Sequence, residues 1–334
     1  MAVKEKTFRA MVVEESGDKQ FSRKILEKSF QSLPEGEVLV KVLWSSLNYK
    51  DALSASGNRG VTRKYPHTPG IDATGVVVES CSVAFLPGDK VIVTSYDLGM
   101  NTSGGFAEYI RVPAAWVVPL PAGLDSRESM IFGTAGFTAG MSIDALCKVV
   151  SPEKGDILVS GATGGVGSLA VAILTKLGYS VVAVSGKPDA TGFLTWLGAS
   201  RVVSRAEALE GSGKPLLKGV WAGVIDTVGG EILATAIKSM HPQGVVTCCG
   251  NVASPELPLN VFPFILRGVS LLGIDSQNCP MEHRKDIWRK LAAEWKPVQL
   301  NDLCHEVALD DLDGEIELIL KGGQKGRVLV RIQP

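Results

Sequence analysis

The run Ser160-Gly161-Ala162-Thr163-Gly164-Gly165-Val166-Gly167 breaks the apolar segment Ile157-Leu158-Val159 and continues as a helix-like stretch to Leu174. Read from Ala162, the spacing is a dinucleotide fingerprint with alanine at its first glycine position. In that reading Gly164 lets backbone approach a pyrophosphate and Gly167 lets the helix pack closely on the strand, while Thr163, Gly165 and Val166 complete the turn. Amides at the helix N-terminus then face an anion. A plain turn between a strand and a helix could use the same glycines, so the next strand has to arbitrate. It is Ser180-Val181-Val182-Ala183-Val184, and it ends in Ser185-Gly186-Lys187, where an NAD site would place a carboxylate on the ribose hydroxyls. A hydroxyl, a close backbone and a cation suit a 2′-phosphate instead, which predicts NADP(H). Lys187 is read as a phosphate ligand against the alternative of a solvated loop lysine; Arg201, after the turn Leu197-Gly198-Ala199, is either a second phosphate contact or a surface arginine.

The elements that must position these residues differ along the chain. Before residue 126, Glu37 to Leu43, Gly75 to Glu79, Lys90 to Thr94 and Phe106 to Val112 read as short strands separated by glycine, proline and polar turns. They predict a barrel-like or strongly bent sheet. From Ser129 to about Gly273, apolar strands alternate with helical segments: Ile157 to Ser160, Val181 to Val184, Arg201 to Val203, Gly223 to Asp226, Val245 to Cys248 and Ser270 to Ile274. That alternation predicts a doubly wound parallel sheet covered by helices. A helix over Arg284 to Trp295 and a strand over Gly326 to Ile332 follow. The expected division is a nucleotide-binding domain at 126–274 inserted into a β-rich domain made of 1–125 and 275–334.

Composition narrows the function classes. The 334 residues, 45% of them hydrophobic, suffice for two cores, and a net charge of −1 gives no footprint for nucleic acid or an anionic membrane. No uninterrupted apolar stretch approaches the roughly 18 residues of a membrane span. Lys4, Glu5, Lys6 and Arg9 are not followed by the apolar core of a signal peptide, so cytoplasmic residence is expected. The six cysteines, Cys81, Cys147, Cys248, Cys249, Cys279 and Cys304, show no repeated ligand spacing and read as packed thiols.

The chain resembles the medium-chain dehydrogenase/reductase superfamily over nearly its whole length. The resemblance rests on Leu47-Asn48-Tyr49-Lys50-Asp51, Pro69-Gly70-Ile71-Asp72-Ala73-Thr74-Gly75, Gly104-Gly105-Phe106-Ala107-Glu108-Tyr109, Gly133-Thr134-Ala135-Gly136-Phe137-Thr138-Ala139, the glycine turn and Asp226-Thr227-Val228-Gly229-Gly230. Pro263-Phe264-Ile265-Leu266-Arg267-Gly268 followed by Leu271-Leu272-Gly273-Ile274-Asp275-Ser276 is similar to the quinone-oxidoreductase-like branch that includes NADPH-dependent acrylyl-CoA reductases. The implied fold is α/β, a Rossmann domain joined to a GroES-like β-rich catalytic domain, in a homodimer. A catalytic zinc needs three converging ligands. Here Ser45-Ser46-Leu47-Asn48 has no cysteine, Gly70-Ile71-Asp72 replaces the family's Gly-His-Glu element, and the cysteine lobe for structural zinc is missing, so no metal is expected.

Without a Lewis acid, the implied reaction is hydride transfer to the β-carbon of an α,β-unsaturated carbonyl, with donors on the enolate oxygen and a proton for the α-carbon. The family segment containing Tyr49 borders the nicotinamide, which implies cofactor contact and a possible proton donor on a β-rich loop; Asn48 would orient the carbonyl or the cofactor. Asp51 and Asp72 join a polar network or serve as turn and cap residues. The resemblance also carries Asn251, Ile265 and Ser276 to the nicotinamide side, although relatives place an apolar residue at position 251. Arg59, Arg63 and Lys64 form a basic cluster suited to the phosphates of coenzyme A, or else a set of solvated loop charges. The leading expectation is a reductase of a short 2-enoyl thioester such as acrylyl-CoA. A quinone or enone reductase and an NADPH-binding structural or sensor protein are the alternatives.

Overall fold

The computed structural model describes residues 6–332, so Lys4 and Glu5 lie outside the described residues. Contacts divide the chain into two compact units, one comprising Met1–Thr134, Gln277–Ala292 and Leu300–Pro334, the other Ala135–Ser276 and Ala293–Gln299. The expected boundaries at 125/126 and 274/275 are therefore displaced, and residues 293–299 group with the nucleotide-type unit.

The first unit opens with β1 (Thr7–Ser16) and β2 (Gln20–Ser29), a hairpin in register from Thr7 opposite Ser29 to Ser16 opposite Gln20. Then come β3 (Val38–Ser46), β4 (Asp72–Ser80), β5 (Lys90–Thr94), β6 (Tyr109–Val112) and β7 (Val117–Pro119). The second unit supplies β8 (Ile157–Val159), β9 (Val181–Ser185), β10 (Arg201–Ser204), β11 (Trp221–Asp226), β12 (Met240–Cys248) and β13 (Ser270–Gly273), after which β14 (Cys304–Ala308) and β15 (Arg327–Arg331) return to the first.

In the first unit, β14-β15-β3-β4-β5-β7 form one sheet, and β6 also pairs with β3. Strand β3 gives its first half to β6, Val38 opposite Val112, and its last residues to β15, Ser45 opposite Val330, so the sheet bends around it. Val38, Val40 and Val42 point to one face, the period of a half-buried strand, and pack with Phe106, Ile110 and Val328. The helix Leu312–Leu320 closes that core with Leu312 and Ile316.

In the second unit every strand pair is parallel, in the order β10-β9-β8-β11-β12-β13. Counted within the unit this is 3-2-1-4-5-6, whose order reverses beside β8 and opens a ligand crevice at the strand C-termini. Parallel strands covered on both faces bury every side chain, and β8 and β9 are buried throughout. Leu233 and Ile237 of the helix Gly230–Lys238 pack on Leu158, Val224 and Val246.

The helix Ser126–Cys147 is interrupted at Gly133, whose φ of 50° and ψ of −155° are not helical. Counted across the break, and with its polar residues included, it is long and apolar enough by length and composition to cross a bilayer. Its apolar window is 78% buried, the pattern of a core helix.

Candidate functional site

The nucleotide turn forms at the end of the central strand. Gly161 adopts φ +57°, and a Cβ there would meet the Thr227 hydroxyl, so the chain turns sharply after Ser160. Thr163 is buried, Gly164 caps the helix Gly165–Lys176, and Val166 and Gly167 lie in its first turn, whose amides have no carbonyl one turn earlier within the helix. A Cβ on Gly167 would lie 2.7 Å from Ala162 Cα, which gives this glycine the close-packing role read from the sequence. A Cβ on Gly164 would have only Gly161 O at 3.4 Å, so the open side is left for a ligand.

Strand β9 ends in the phosphate corner. The Lys187 amide donates to Ser185 Oγ at 3.1 Å, and Gly186 is exposed. Arg201 does not reach this corner. It stands at the start of β10 opposite Val182, at the N-terminal edge of a parallel sheet, and its guanidinium lies 6.0 Å from the Trp221 ring centroid. Ser204, at the other end of β10, is the residue opposite Ser185, and the next residue is Arg205. A Cβ on Gly186 would come within 2.6 Å of Arg205 Cζ, so the guanidinium lies directly on the glycine. Of the two arginines, Arg201 starts β10 and Arg205 follows it; ligands gather at the C-terminal ends of parallel strands, and applying that rule to β10 in the sequence would have pointed to Arg205. Ser185, Lys187 and Arg205 form a donor set that fits a 2′-phosphate.

Beyond β12 and β13, an open cleft of about 600 Å³ is lined by Cys248, Cys249, Gly250, Asn251, Gly273, Ile274 and Asp275. Asn251 is one of these lining residues. Ser276 follows the lining and accepts a hydrogen bond from Thr138 Oγ1 at 2.8 Å. Ile265 does not line the cleft: it stands on the helix Phe262–Arg267 and is 69% exposed.

In the first unit, Tyr49 is the first residue of the helix Tyr49–Ala55 and not part of a β-rich loop. Asn48 caps that helix, and the Asp51 carboxylate accepts from the Asn48 amide at 2.8 Å. Tyr49 is exposed, and its hydroxyl has no hydrogen-bond partner among the described residues. Asn48 is the opposite case. Its Nδ2 donates to Asp72 Oδ2 at 2.7 Å, and its Oδ1 accepts from Arg327 Nη1 at 3.3 Å, so the amide expected to orient a ligand is consumed inside the protein.

Around it lies a buried polar network that the sequence showed only at Asp51 and Asp72. Asp72 accepts from Ser46 Oγ at 2.7 Å and from Thr134 Oγ1 at 2.6 Å, and Arg327 Nη2 donates to Ser46 Oγ at 2.8 Å. Asp51 Oδ1 accepts from the Ile71 amide at 2.7 Å. Burial, and then the nearby Asp72 charge, push the Asp51 carboxyl up to about 7 against the pull of its amide donors. Burial pulls Arg327 down, opposed by both aspartates.

The basic loop is less free than its composition suggests. Arg59 grips both Glu15 carboxylate oxygens at 2.6 Å, donates to Arg63 O and lies over the Tyr65 ring at 5.1 Å, so it is committed within the protein. Arg63 and Lys64 are exposed. No group of three or more His, Cys, Asp and Glu side chains able to hold a metal occurs among the described residues.

Residues 34–122 match the family described as alcohol dehydrogenase GroES-like domain, and residues 165–294 the family described as zinc-binding dehydrogenase. Acrylyl-CoA reductase AcuI of Ruegeria pomeroyi is 44% identical over 97% of this chain and 99% of its own. YhfP of Bacillus subtilis, named provisionally as a quinone oxidoreductase, is 45% identical over 97% of this chain and 99% of its own. The crystal structure of the YhdH oxidoreductase of Salmonella enterica in complex with NADP aligns with a TM-score of 0.95 at 42% identity, covering 97% of this chain and all of that one. That of YhfP with NAD bound aligns equally well at 44% identity, covering 98% of this chain and 100% of that one. The chain belongs to the medium-chain dehydrogenase/reductase superfamily, in its quinone-oxidoreductase-like branch, and is an oxidoreductase of the two-domain α/β, GroES-like plus Rossmann architecture.

Proposed function

We propose that this protein uses NADPH, without zinc, to reduce the C=C bond of a short α,β-unsaturated acyl-CoA such as acrylyl-CoA. The observation that carries the cofactor choice is the corner of Ser185, Lys187 and Arg205, two cations and a hydroxyl with no carboxylate at 185–187. The NADP-bound relative supports it. The substrate class is supported by the named activity of the Ruegeria relative and by the exposed cations Arg63 and Lys64. Zinc independence is supported by carboxylates already occupied by internal donors and by the shortage of convergent ligands among the described residues.

When bound, NADPH supplies a hydride to the β-carbon of the thioester. The chain's own residues do the rest. Negative charge gathers on the carbonyl oxygen as the hydride arrives, and donors aimed at that oxygen lower the barrier. Tyr49, whose hydroxyl has no hydrogen-bond partner among the described residues, is the group we assign to that end of the substrate, as hydrogen-bond donor or as proton source for the α-carbon. Asn48 is a positioning residue: with Asp51 it fixes the helix that begins at Tyr49. Asn251, in the lining of the cleft, is the residue we assign to the nicotinamide side. All six cysteines are free thiols, in keeping with a cytoplasmic enzyme.

One observation favours the second reading, a quinone or enone reductase: Arg59 is spent on Glu15, which thins the charge available to coenzyme A. NADPH oxidation by the purified protein with acrylyl-CoA, crotonyl-CoA and a simple quinone decides between them. The thioester reading expects saturable oxidation with acrylyl-CoA, and a raised KM for that substrate alone in Arg63→Ala and Lys64→Ala. Preference for the quinone removes coenzyme A recognition. Tight NADPH binding with no oxidation by any acceptor points to a sensor or structural role.

A further inference from the structure

Asp226, the last residue of β11, is fully buried at the place where the strand order reverses. Among the described residues its carboxylate is met only by neutral donors: Ser160 Oγ at 2.7 Å, the Gly229 amide at 2.8 Å, the Val228 amide at 3.3 Å and the Cys248 thiol at 3.8 Å. No lysine, arginine or histidine among the described residues pairs with it. These contacts tie together three loops: Ser160 begins the nucleotide turn, Val228 and Gly229 follow β11, and Cys248 ends β12. Ser160 Oγ also accepts from the Thr227 amide at 2.9 Å, and the Cys249 amide donates to Asp226 O at 3.0 Å.

A buried carboxylate without a cation is costly, and hydrogen-bonded loops do not require its charge: an asparagine side chain offers the same number of polar atoms. The charge therefore calls for a separate account, and its position supplies one. Cys248, which donates to Asp226, also lines the cleft at the ends of β12 and β13. In a doubly wound sheet one mononucleotide half lies over each side of the reversal. The phosphate corner of Ser185, Lys187 and Arg205 claims the β9 and β10 side for the adenosine half, which leaves the cleft to the nicotinamide. Loss of hydride turns a neutral dihydropyridine ring into a pyridinium with one positive charge. Asp275, the acid among the cleft's lining residues, is exposed, so water screens it; Asp226, behind Cys248, is fully buried and is not screened in that way.

We infer that Asp226 is an electrostatic positioning residue that favours the oxidised over the reduced nicotinamide through its uncompensated charge, and so assists hydride donation. This rests on the NADP(H) reading above. Asp226→Asn keeps the shape: the amide oxygen accepts from Gly229 and Val228 while its NH2 donates to Ser160 Oγ, and only the charge is lost. Dissociation constants for NADP+ and NADPH are measured by calorimetry on the full chain, with circular dichroism as the folding control. Asp226→Asn is expected to weaken NADP+ about tenfold more than NADPH. Ser160→Ala, which disturbs the same loops but keeps the charge, is expected to leave the ratio of the two constants at its wild-type value. If Asp226→Asn does not fold, Asp226→Ser gives the same comparison with a smaller neutral acceptor. Equal weakening of both nucleotides, no change in either, or a ratio shifted in Ser160→Ala as well overturns the inference. A wild-type protein that binds neither nucleotide overturns both this inference and the cofactor reading, whereas binding with an unshifted ratio overturns this inference alone.

Discussion

Arg205 and Arg201 carry the same charge and lie one short strand apart, yet only Arg205 lies against the glycine that separates Ser185 from Lys187. A charge-assisted contact to a phosphate is made at hydrogen-bond range or not at all, so the two arginines should separate cleanly on substitution. Arg205→Ala is expected to raise the Kd for NADPH by about tenfold or more and to leave NADH nearly unchanged, while Arg201→Ala changes neither. Equal losses in both variants, read by fluorescence titration, would refute the assignment. The glycine turn after β8 and the place of Ser185-Gly186-Lys187 at the end of β9 were legible in the sequence because both depend on local pattern. Arg205 and the commitments of Asn48 and Arg59 were not, because each depends on a partner that only the fold brings near: Arg327 lies 279 positions from Asn48 and Glu15 lies 44 from Arg59. Asp51 shows how such company changes chemistry. Its carboxyl titrates near 7 in the folded chain, against roughly 3.9 unfolded. The folded state therefore binds the proton more tightly, and the stability this contributes is fully present below about pH 4 and lost as pH rises through 7. The free energy of unfolding should be lower at pH 8 than at pH 5 by on the order of 2 kcal/mol, with the Asp51 carboxyl carbon shifting near pH 7 by NMR. An Asp51 carboxyl that titrates near 4 would remove this source of pH dependence.

The helix Ser126–Cys147 shows what an element gives up to complete a buried site. Gly133 breaks it so that the next amide, that of Thr134, reaches both Asp72 carboxylate oxygens at 2.9 Å. A Cβ on Gly133 would sit 2.6 Å from Ser46 Oγ and 2.9 Å from Arg327 Nη2, and the residue's φ lies in the region that penalises any side chain. Gly133→Ala is thus expected to cost about 3 kcal/mol of unfolding free energy in urea. A loss under about 1 kcal/mol would mean that the network yields easily. In sequence Gly133 opens one of the motifs that carry the family resemblance, but the helix break it makes was not legible, because the polar groups that crowd it come from three distant segments. Strands read better than this helix. Lys90–Thr94 has the limits expected for it, since turn residues bound an apolar alternation, whereas β1 and β2 went unread because charged residues on the exposed face of the hairpin mask the period.

At the scale of the molecule, the parallel sheet has two edges and they are not alike. β10 ends the sheet with Arg201 and Ser204 exposed, a polar edge that discourages pairing. β13 ends it with Leu272 38% exposed, and the nearby helix Phe262–Arg267 leaves Ile265 and Leu266 69% and 64% exposed. An apolar edge of this kind is an aggregation hazard unless something covers it. A second copy is the simplest cover, because two β13 strands related by a two-fold axis meet antiparallel and present the same apolar helix to each other. We therefore expect a homodimer of twice the 35.4 kDa chain mass in light scattering. Leu272→Lys, or Ile265→Asp combined with Leu266→Asp, should halve the mass while the Asp51 titration and the bent sheet of the first unit stay as they are, since none of these positions lies in that unit. A wild-type protein that stays monomeric at micromolar concentration would leave the exposed apolar helix, and Ile265 with it, to be covered by ligand instead.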